Sequence, residues 1–354
     1  MAEHYSTTMD RSRQWLKENT KRYAFKKLQR DIINKGICVE CGSCVASCPV
    51  DALTGDTSSG KYVPTLTGEC DACGICYAMC PRTFSLWRDV AGEFRSVWRV
   101  RSLGEHKRQD GGAVTAILTH LLNTGTVDGA IVAGQDPNDT WRPVAKLVSD
   151  SSELDKHAGT IYGHAPVVGA MMNAYKEGHH SLAVVGTACD IDAINKLEEH
   201  PAGFFSLDSH SSVFKIGLFC MESFEYDKLK DWLKEKGISM KDITRFAISG
   251  GEFRVVTGEG ETGWPVAELN PAVSSSCPYC QDLTAVNADI SCGNIGSDEG
   301  YTTVIVRTTK AEQILQEIMA KGLVEAEMLD AKALRKIQNV ARSKRYSIYR
   351  LKHD

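Results

Sequence analysis

The chain has 354 residues, 42% of them hydrophobic and 24% charged, with a formal net charge of −4. That length suits two or three domains, and the balance excludes a disordered chain. The small acidic excess argues against a general nucleic-acid binder, because neutralising phosphates needs a basic surface.

The first residues, MAEHYSTTMDRSRQWLKENTKRY, lack the apolar stretch of a secretory signal. No segment reaches the roughly 18 uninterrupted apolar residues of a membrane helix. The most apolar run, Val114 to Gly134, is broken by Thr119, His120, Asn123 and Asp128. A cytoplasmic protein with no direct membrane span is expected, reaching any membrane only through a partner. Thirteen cysteines in a reducing compartment then read as metal ligands rather than disulfides.

Residues 1–35 are expected to form a charged helical leader in which Trp15, Leu16, Tyr23, Phe25 and Leu28 are scattered among Arg and Lys. Residues 36–100 form the next unit, a cysteine-rich block (36–82) of α+β ferredoxin-like type with an extended crossing segment (83–100). From 101 to 354 the pattern alternates helices and short apolar strands. Val114, Ile117, Leu118, Leu121 and Leu122 repeat at helical spacing after the Gly111-Gly112 turn, and Gly129–Ala133 reads as a buried strand. Further helices are expected at Met171–Tyr175, Asp190–Glu199 and Tyr226–Lys236, with strands at Leu182–Val185 and Phe214–Phe219. Strands separated by helices predict an α/β domain with a mostly parallel sheet. Residues 252–269 read as a hairpin. The tail from Lys310 carries two amphipathic helices, the last strongly basic through Lys332, Arg335, Lys336, Arg342, Lys344 and Arg345. Such a charge run is expected to be a solvated face.

The cysteine block is the most specific signal. Cys38, Cys41, Cys44 and Cys48 follow C-x2-C-x2-C-x3-C and precede Pro49, and each of Cys70, Cys73, Cys76 and Cys80 lies 32 positions after its counterpart, preceding Pro81. This is the two-cluster ferredoxin pattern, in which each fourth cysteine ligates the other cluster. It assigns Cys38, Cys41, Cys44 and Cys80 to one [4Fe–4S] cluster, and Cys70, Cys73, Cys76 and Cys48 to the other. Two-residue gaps wrap a tight loop so that three thiolates meet three corners of one cube. Small neighbours (Gly42, Ser43, Ala72, Gly74) let backbone amides approach the cluster sulfurs.

Five cysteines remain. Cys189 lies at a strand-to-helix turn and Cys220 ends a strand, so both belong at the carboxyl edge of the sheet, where open α/β sheets bind ligands. Cys277 and Cys280 form C-P-Y-C. On spacing alone, a further [4Fe–4S] cluster, a zinc ion and a redox dithiol all stay open for these four. Cys292 is expected to be a small buried hydrophobe.

GGAVTAIL (111–118), YGHAPV (162–167), VVGTACDIDAI (184–194), GLFCMESF (217–224) and SCPYCQDLTAVNADISCGNIGSDEGYTTVIVRT (276–308) resemble the beta-subunit family of coenzyme F(420)-reducing hydrogenase. The likeness covers nearly all of residues 105–310. With a two-cluster ferredoxin placed before it, the chain also resembles the input subunit of F(420)H2 dehydrogenases, tied to methanogenesis and electron transport. The resemblance implies an α/β flavin-binding domain holding FAD and one [4Fe–4S] cluster, hence three clusters in all, with coenzyme F(420) as substrate. It implies Cys189, Cys220, Cys277 and Cys280 as ligands of the third cluster. It implies Gly111, Gly112, Thr115, Tyr162 and His164 around the flavin, with Asn294, Gly296, Ser297, Tyr301 and Thr302 as weaker candidates.

Two positions depart from the family. Ala188 and Asp190 stand where Pro and Gln are usual, and Asn294 stands where Asp is usual. The implied path runs from F(420)H2 to FAD, to the Cys189 cluster, then through the ferredoxin clusters. Its end is a ferredoxin or a larger complex of F(420)H2 dehydrogenase, hydrogenase or heterodisulfide reductase type. Alternatives are a ferredoxin-driven flavin reductase of the same family and a relay subunit without flavin. Hydride transfer needs no side-chain acid or base, so no catalytic residue is assigned. Arg101, Lys107, Arg108, Arg142 and Arg307 could meet an anionic substrate, although each reads more readily as a surface residue. The Asp110–Ala113 and Gly186–Thr187 turns can offer amides to phosphates.

Overall fold

The computed structural model describes residues 2–19, 24–83, 90–105 and 109–347. The side chains of Trp15 and Leu16, together with Tyr23, Lys107, Arg108 and residues 84–89 of the expected crossing segment, lie outside the described set. Helix α1 (Ala2–Asn19) opens the chain and α2 (Phe25–Leu28) follows it. Phe25, Leu28 and Ile32 pack over the cysteine block and close its small core.

Within that block the 32-residue repeat is visible in the backbone. Left-handed conformations recur at Glu40 and Ala72 (φ 59° and 57°) and at Gly42 and Gly74 (φ 79° and 87°). The two glycines lead into single-turn helices α3 (Ser43–Ala46) and α4 (Ile75–Ala78). Between the repeats, β1 (Leu53–Asp56) pairs antiparallel with β2 (Val63–Leu66).

The remainder is built on an eight-stranded sheet. Its strands are β3 (Ser96–Ser102), β4 (Gly129–Gln135), β5 (Pro143–Val148), β6 (Ser181–Thr187), β7 (Ser212–Leu218), and then β11 (Ile290–Gly293), β12 (Thr302–Val306) and β13 (Val324–Met328). Their spatial order is β13-β3-β12-β11-β7-β6-β4-β5. The sheet is mixed rather than mostly parallel. Only β4·β6, β6·β7 and β7·β11 pair parallel, whereas β4·β5, β11·β12, β12·β3 and β3·β13 are antiparallel. The connections explain two of the antiparallel pairings, β4·β5 and β11·β12. A parallel crossover needs about a dozen residues or more, and the links 136–142 and 294–301 are too short for one.

Helices cover both faces. On one, α6 (Val167–Glu177) and α7 (Ala188–Glu199) bury Val168, Met171, Ile191 and Ile194, with α8 (Phe204–Leu207) beside them. On the other, α5 (Ala113–Asn123) and α10 (Thr309–Ala320) bury Ile117, Leu121, Leu315 and Ile318. A separate three-stranded sheet, β8 (Ile243–Ser249), β9 (Glu252–Thr257) and β10 (Gly260–Pro265), contains the expected hairpin. It packs with α9 (Tyr226–Glu235) around an aromatic core of Trp141, Phe224, Phe246 and Phe253. The last of the described elements is α11 (Ala331–Ser347). None of the described helices is long and apolar enough to cross a membrane.

Strand β13 was not foreseen between the two tail helices. Its Glu325 and Glu327 stand directly opposite Arg101 and Arg99 of β3, and each pair is bridged. Cross-strand ion pairs of this kind hold an edge strand that has little apolar side chain to bury.

Gly111 sits where the chain turns into α5, against β3 and β12. A Cβ there would collide with the Val100 carbonyl oxygen and the Thr302 amide nitrogen. Both are backbone atoms and cannot swing aside. Gly111→Ala is expected to lower stability by about 1–3 kcal/mol through overpacking, read as a lower apparent urea midpoint.

The aromatic unit is tied to the loop after β4 by Asp139. Its carboxylate accepts from Tyr226 Oη at 2.6 Å, Arg142 Nε at 2.7 Å and Lys230 Nζ at 3.2 Å. Burial pushes its pKa up, but these three bonds outweigh that and hold it down at about 2. A depressed carboxylate stabilises the fold above its unfolded pKa of about 4 and loses that contribution as pH falls toward 2. Asp139→Asn should therefore flatten the acid limb of a stability–pH curve over that window.

Candidate functional site

The structure gathers the cysteines into three groups. Cys48, Cys70, Cys73 and Cys76 wall one cavity that Phe25, Pro49 and Leu53 help to close. Burial pushes Cys76 up to about 12, and the adjacent Cys73, Cys70 and Cys48 push the same way. Cys38 is likewise pushed up to about 12, mainly by burial and further by Cys80. Cys41 and Cys44 are also raised by burial, and both face Cys38 and Cys80. Cys44 faces Cys76 as well, so the two groups are neighbours.

The third group lies at the carboxyl edge of the large sheet. Cys189 opens α7, which β6 feeds, and Cys220 follows β7. Cys277 and Cys280 lie on a single 3-10 turn. All four line one cavity together with Arg82, His164, Thr187, Ala188, Ser276 and Lys344. Local bonds set their positions. Ser223 donates its amide to Cys277 Sγ at 3.2 Å, Thr187 Oγ1 lies 3.1 Å from Cys189 Sγ, and Cys280 Sγ lies 3.5 Å from the Asp282 carbonyl. Asp282 in turn holds the Thr284 and Val286 amides, each at 2.8 Å.

Two cations, Arg82 and Lys344, line this cavity. Burial pushes Cys277 up to about 12 and raises Cys189 and Cys220. Burial acts on Cys280 too, yet Lys344 and Arg82 overcome it and pull that thiol below its ordinary value. His164 Nε2 is buried with no hydrogen-bond partner. Burial, and then Arg82, Lys61 and Lys344, push its pKa down to about 4. Among the described residues, no three His, Cys, Asp or Glu side chains meet closely enough to hold a single metal ion. Cys292 is apart, 2% exposed within β11.

The ferredoxin block is seated on this edge. Gly169 of α6 donates its amide to the Cys41 carbonyl at 3.2 Å, and a Cβ on Gly42 would come within 3.2 Å of the Gly169 Cα. Ser275 Oγ donates to the Gly36 carbonyl at 2.8 Å, and Lys61 pairs with Glu225 at 2.7 Å. Arg82, two residues beyond Cys80, points its guanidinium at the Tyr279 and Ser276 carbonyls, both at 3.5 Å.

The other candidates divide between two places. His164 lines the cysteine cavity, whereas Tyr162 belongs to the aromatic core, 6.2 Å from Phe224 and 5.9 Å from Phe253 between ring centres. Gly111 lies against Thr302 and Tyr301, with Gly112 left-handed at the start of α5 (φ 75°) and Thr115 in its first turn. Ser297 Oγ lies 2.6 Å from Thr303 Oγ1, Gly296 is left-handed (φ 103°) against Ile337, and Asn294 donates to the Ile248 carbonyl at 3.3 Å. Tyr301 donates to Glu325 at 2.7 Å beneath Arg99 and Arg101.

Three expectations change. The Gly186–Thr187 turn has no amide to spare at Thr187, because Asp190 Oδ2 takes it at 2.9 Å in a capping box. The carboxylate introduced at Asp190 is therefore spent on its own helix. Arg307 is half-buried and fully engaged by its neighbours. Its fork holds Ser291 Oγ, the Ala91 and Glu93 carbonyls, and the Thr284 carbonyl and hydroxyl, all within 3.2 Å. Lys344 leaves the solvated face expected of the basic tail. It is 4% exposed and donates to the Cys220 carbonyl. Arg142 is engaged by Asp139 and Asp227.

A two-repeat cysteine domain seated on an α/β domain whose own cysteines ring a cavity defines an iron–sulfur electron-transfer protein. The 4Fe-4S dicluster domain family matches residues 30–81. The families described as the N-terminal part and the C terminus of the coenzyme F420 hydrogenase/dehydrogenase beta subunit match residues 97–172 and 179–332. The coenzyme F420 hydrogenase subunit beta of Methanothermobacter thermautotrophicus is 31% identical, over 68% of this chain and 87% of that one. The coenzyme F420-dependent sulfite reductase of Methanocaldococcus jannaschii is 32% identical over 85% of this chain, which spans only 49% of that protein. A chain of the F420-reducing [NiFe] hydrogenase complex from Methanosarcina barkeri superposes with a TM-score of 0.70 at 27% identity, covering 75% of this chain and 94% of that one. The protein belongs to the coenzyme F(420) hydrogenase/dehydrogenase beta-subunit family, with an N-terminal 4Fe-4S domain.

Proposed function

We propose that the protein exchanges hydride with coenzyme F(420) at a bound FAD and passes the electrons singly, through three [4Fe–4S] clusters, to a larger electron-accepting partner. One observation carries this reading. The four-cysteine cavity shares Arg82 with the ferredoxin loop, so a cluster held there stands between the α/β domain and the ferredoxin pair.

The residues fit the groups the reading requires. Cys189, Cys220, Cys277 and Cys280 surround a space instead of closing on a point, which suits a cube better than a tetrahedral zinc ion. For FAD, the first turn of α5 has no side-chain cap, leaving its amides to face a phosphate. Nearby, Gln109 Oε1 is enclosed without a partner, an acceptor for a ligand N–H or O–H. Gln109 Nε2 is meanwhile anchored at 2.8 Å on the Phe246 carbonyl, beside the Tyr162 ring. A flavin there supplies the conversion between paired and single electrons. The proposed division is a leader (1–35), the ferredoxin unit with its crossing segment (36–100) and the FAD/[4Fe–4S] unit (101–354).

Anaerobic purification, followed by counts of iron and flavin and an assay of F(420)H2 oxidation with an artificial acceptor, tests the reading. Bound flavin, about twelve irons for three cubes and turnover are expected. A protein with no yellow chromophore and no turnover is a bare relay. Flavin without any response to F(420)H2 means a reductase driven from the ferredoxin side.

A further inference from the structure

Two cations reach the four-cysteine cavity from opposite ends of the chain. Lys344 comes from α11, is 4% exposed, and places Nζ on the Cys220 carbonyl. Arg82 comes from the ferredoxin loop and places its guanidinium at the Tyr279 and Ser276 carbonyls, which flank Cys277 and Cys280. Both line the cavity itself. Arg82 also lies near Cys38 and Cys80.

Burying an ammonium is costly unless something negative meets it. The carboxylates around the cavity take part in local hydrogen bonds and also face the two cations, Asp282 and Glu222 toward Lys344 and Asp192 toward Arg82. Asp190 serves Thr187, Asp282 serves the Thr284 and Val286 amides, and Asp192 accepts from Asn287 at 3.2 Å. Four thiolates leave a [4Fe–4S] group with net negative charge, which grows by one unit when the group accepts an electron.

We propose that Lys344 and Arg82 set the reduction potential of the cluster in this cavity, Lys344 acting on that cluster alone and Arg82 acting also on the Cys38–Cys41–Cys44–Cys80 cluster. The proposal rests on the reading that the cavity holds a [4Fe–4S] cluster. A fixed cation beside a group that gains an electron stabilises its reduced form, and burial keeps water from screening it. The pair therefore draws electrons onto the third cluster. Arg82, near both clusters, favours the reduced form of either one. Both are positioning residues, since neither has to touch the substrate.

The test is an EPR-monitored redox titration of the anaerobically purified full chain with dithionite and mediators. The third cluster's signal is the one that Cys277→Ser removes. In Lys344→Met, the ratio of reduced to oxidised third cluster at a fixed potential should fall about tenfold, a shift of about 59 mV for a one-electron couple. Lys344→Arg should restore it. Arg82→Gln should shift two signals in the same direction, whereas Lys344→Met shifts one.

Full iron with unchanged potentials in Lys344→Met and Arg82→Gln overturns the proposal. If Lys344→Met does not load the cluster, Arg82→Gln decides on the same terms. If neither loads while Lys344→Arg and Arg82→Lys do, charge is upheld as the requirement. Failure of the charge-keeping variants as well overturns it in favour of shape. A wild-type protein lacking any signal sensitive to Cys277→Ser instead refutes the cluster reading beneath the proposal.

Discussion

Cys277→Ser should leave the chain folded but remove about a third of its iron, from about twelve to about eight atoms if each cube holds four. Cys277 is one of four cavity-lining cysteines, and its thiol is positioned by the Ser223 amide. A serine hydroxyl is a much poorer ligand for iron than a thiolate. The ferredoxin cysteines do not contribute to that cavity, so dithionite should still reduce both of their clusters. F(420)H2 should not, because the step between flavin and ferredoxin is missing. Iron analysis and EPR of the variant under each reductant read the two effects separately. Loss of all iron would mean that the cysteine block depends on the third site for its own folding.

Arg307→Met is expected to cost about 3 kcal/mol or more, from buried acceptors left without donors. The guanidinium binds the Ala91 carbonyl at 2.8 Å and Ser291 Oγ at 2.8 Å, and it holds the Thr284 carbonyl and hydroxyl at 3.2 and 3.0 Å. Burial pulls its pKa down to about 10, still cationic at neutral pH. These bonds join β12 to the segment entering β3 and to the chain just beyond Cys280. Arg307→Lys should recover little, because a point charge cannot reproduce the fork. The apparent urea midpoint measures the loss. The third cluster should also become more labile to chelators than the ferredoxin pair.

The ferredoxin block was legible because its information is local. Four cysteines lie within eleven residues, and the repeat shows in the sequence as it does in the left-handed positions of Glu40, Gly42, Ala72 and Gly74. Helices α5, α7 and α9 were legible from apolar spacing, and strands β4, β6 and β7 from short buried runs. Strands β8 and β13 were not, since exposed polar residues interrupt the apolar ones and neither strand forms a continuous buried run. Two of the antiparallel pairings could have been read from the short links after β4 and β11, a constraint on chain length that periodicity does not register. At the site, Cys189 and Cys220 could be placed together because strand ends converge in open sheets. Nothing local marks Arg82 or Lys344. Each looks like one more member of a basic surface until the fold brings residues 82, 189, 280 and 344 around a single cavity.

The central claim is that reducing equivalents enter at the α/β domain and leave through the ferredoxin clusters. The most direct measurement mixes the anaerobic, oxidised full chain with F(420)H2 and follows coenzyme absorbance alongside low-temperature EPR of the frozen product. Re-oxidation of the coenzyme should be matched by reduced [4Fe–4S] signals that include the two lost on removing Cys44 or Cys76. Unchanged F(420)H2 and silent clusters, in a protein whose clusters dithionite reduces, would contradict the account.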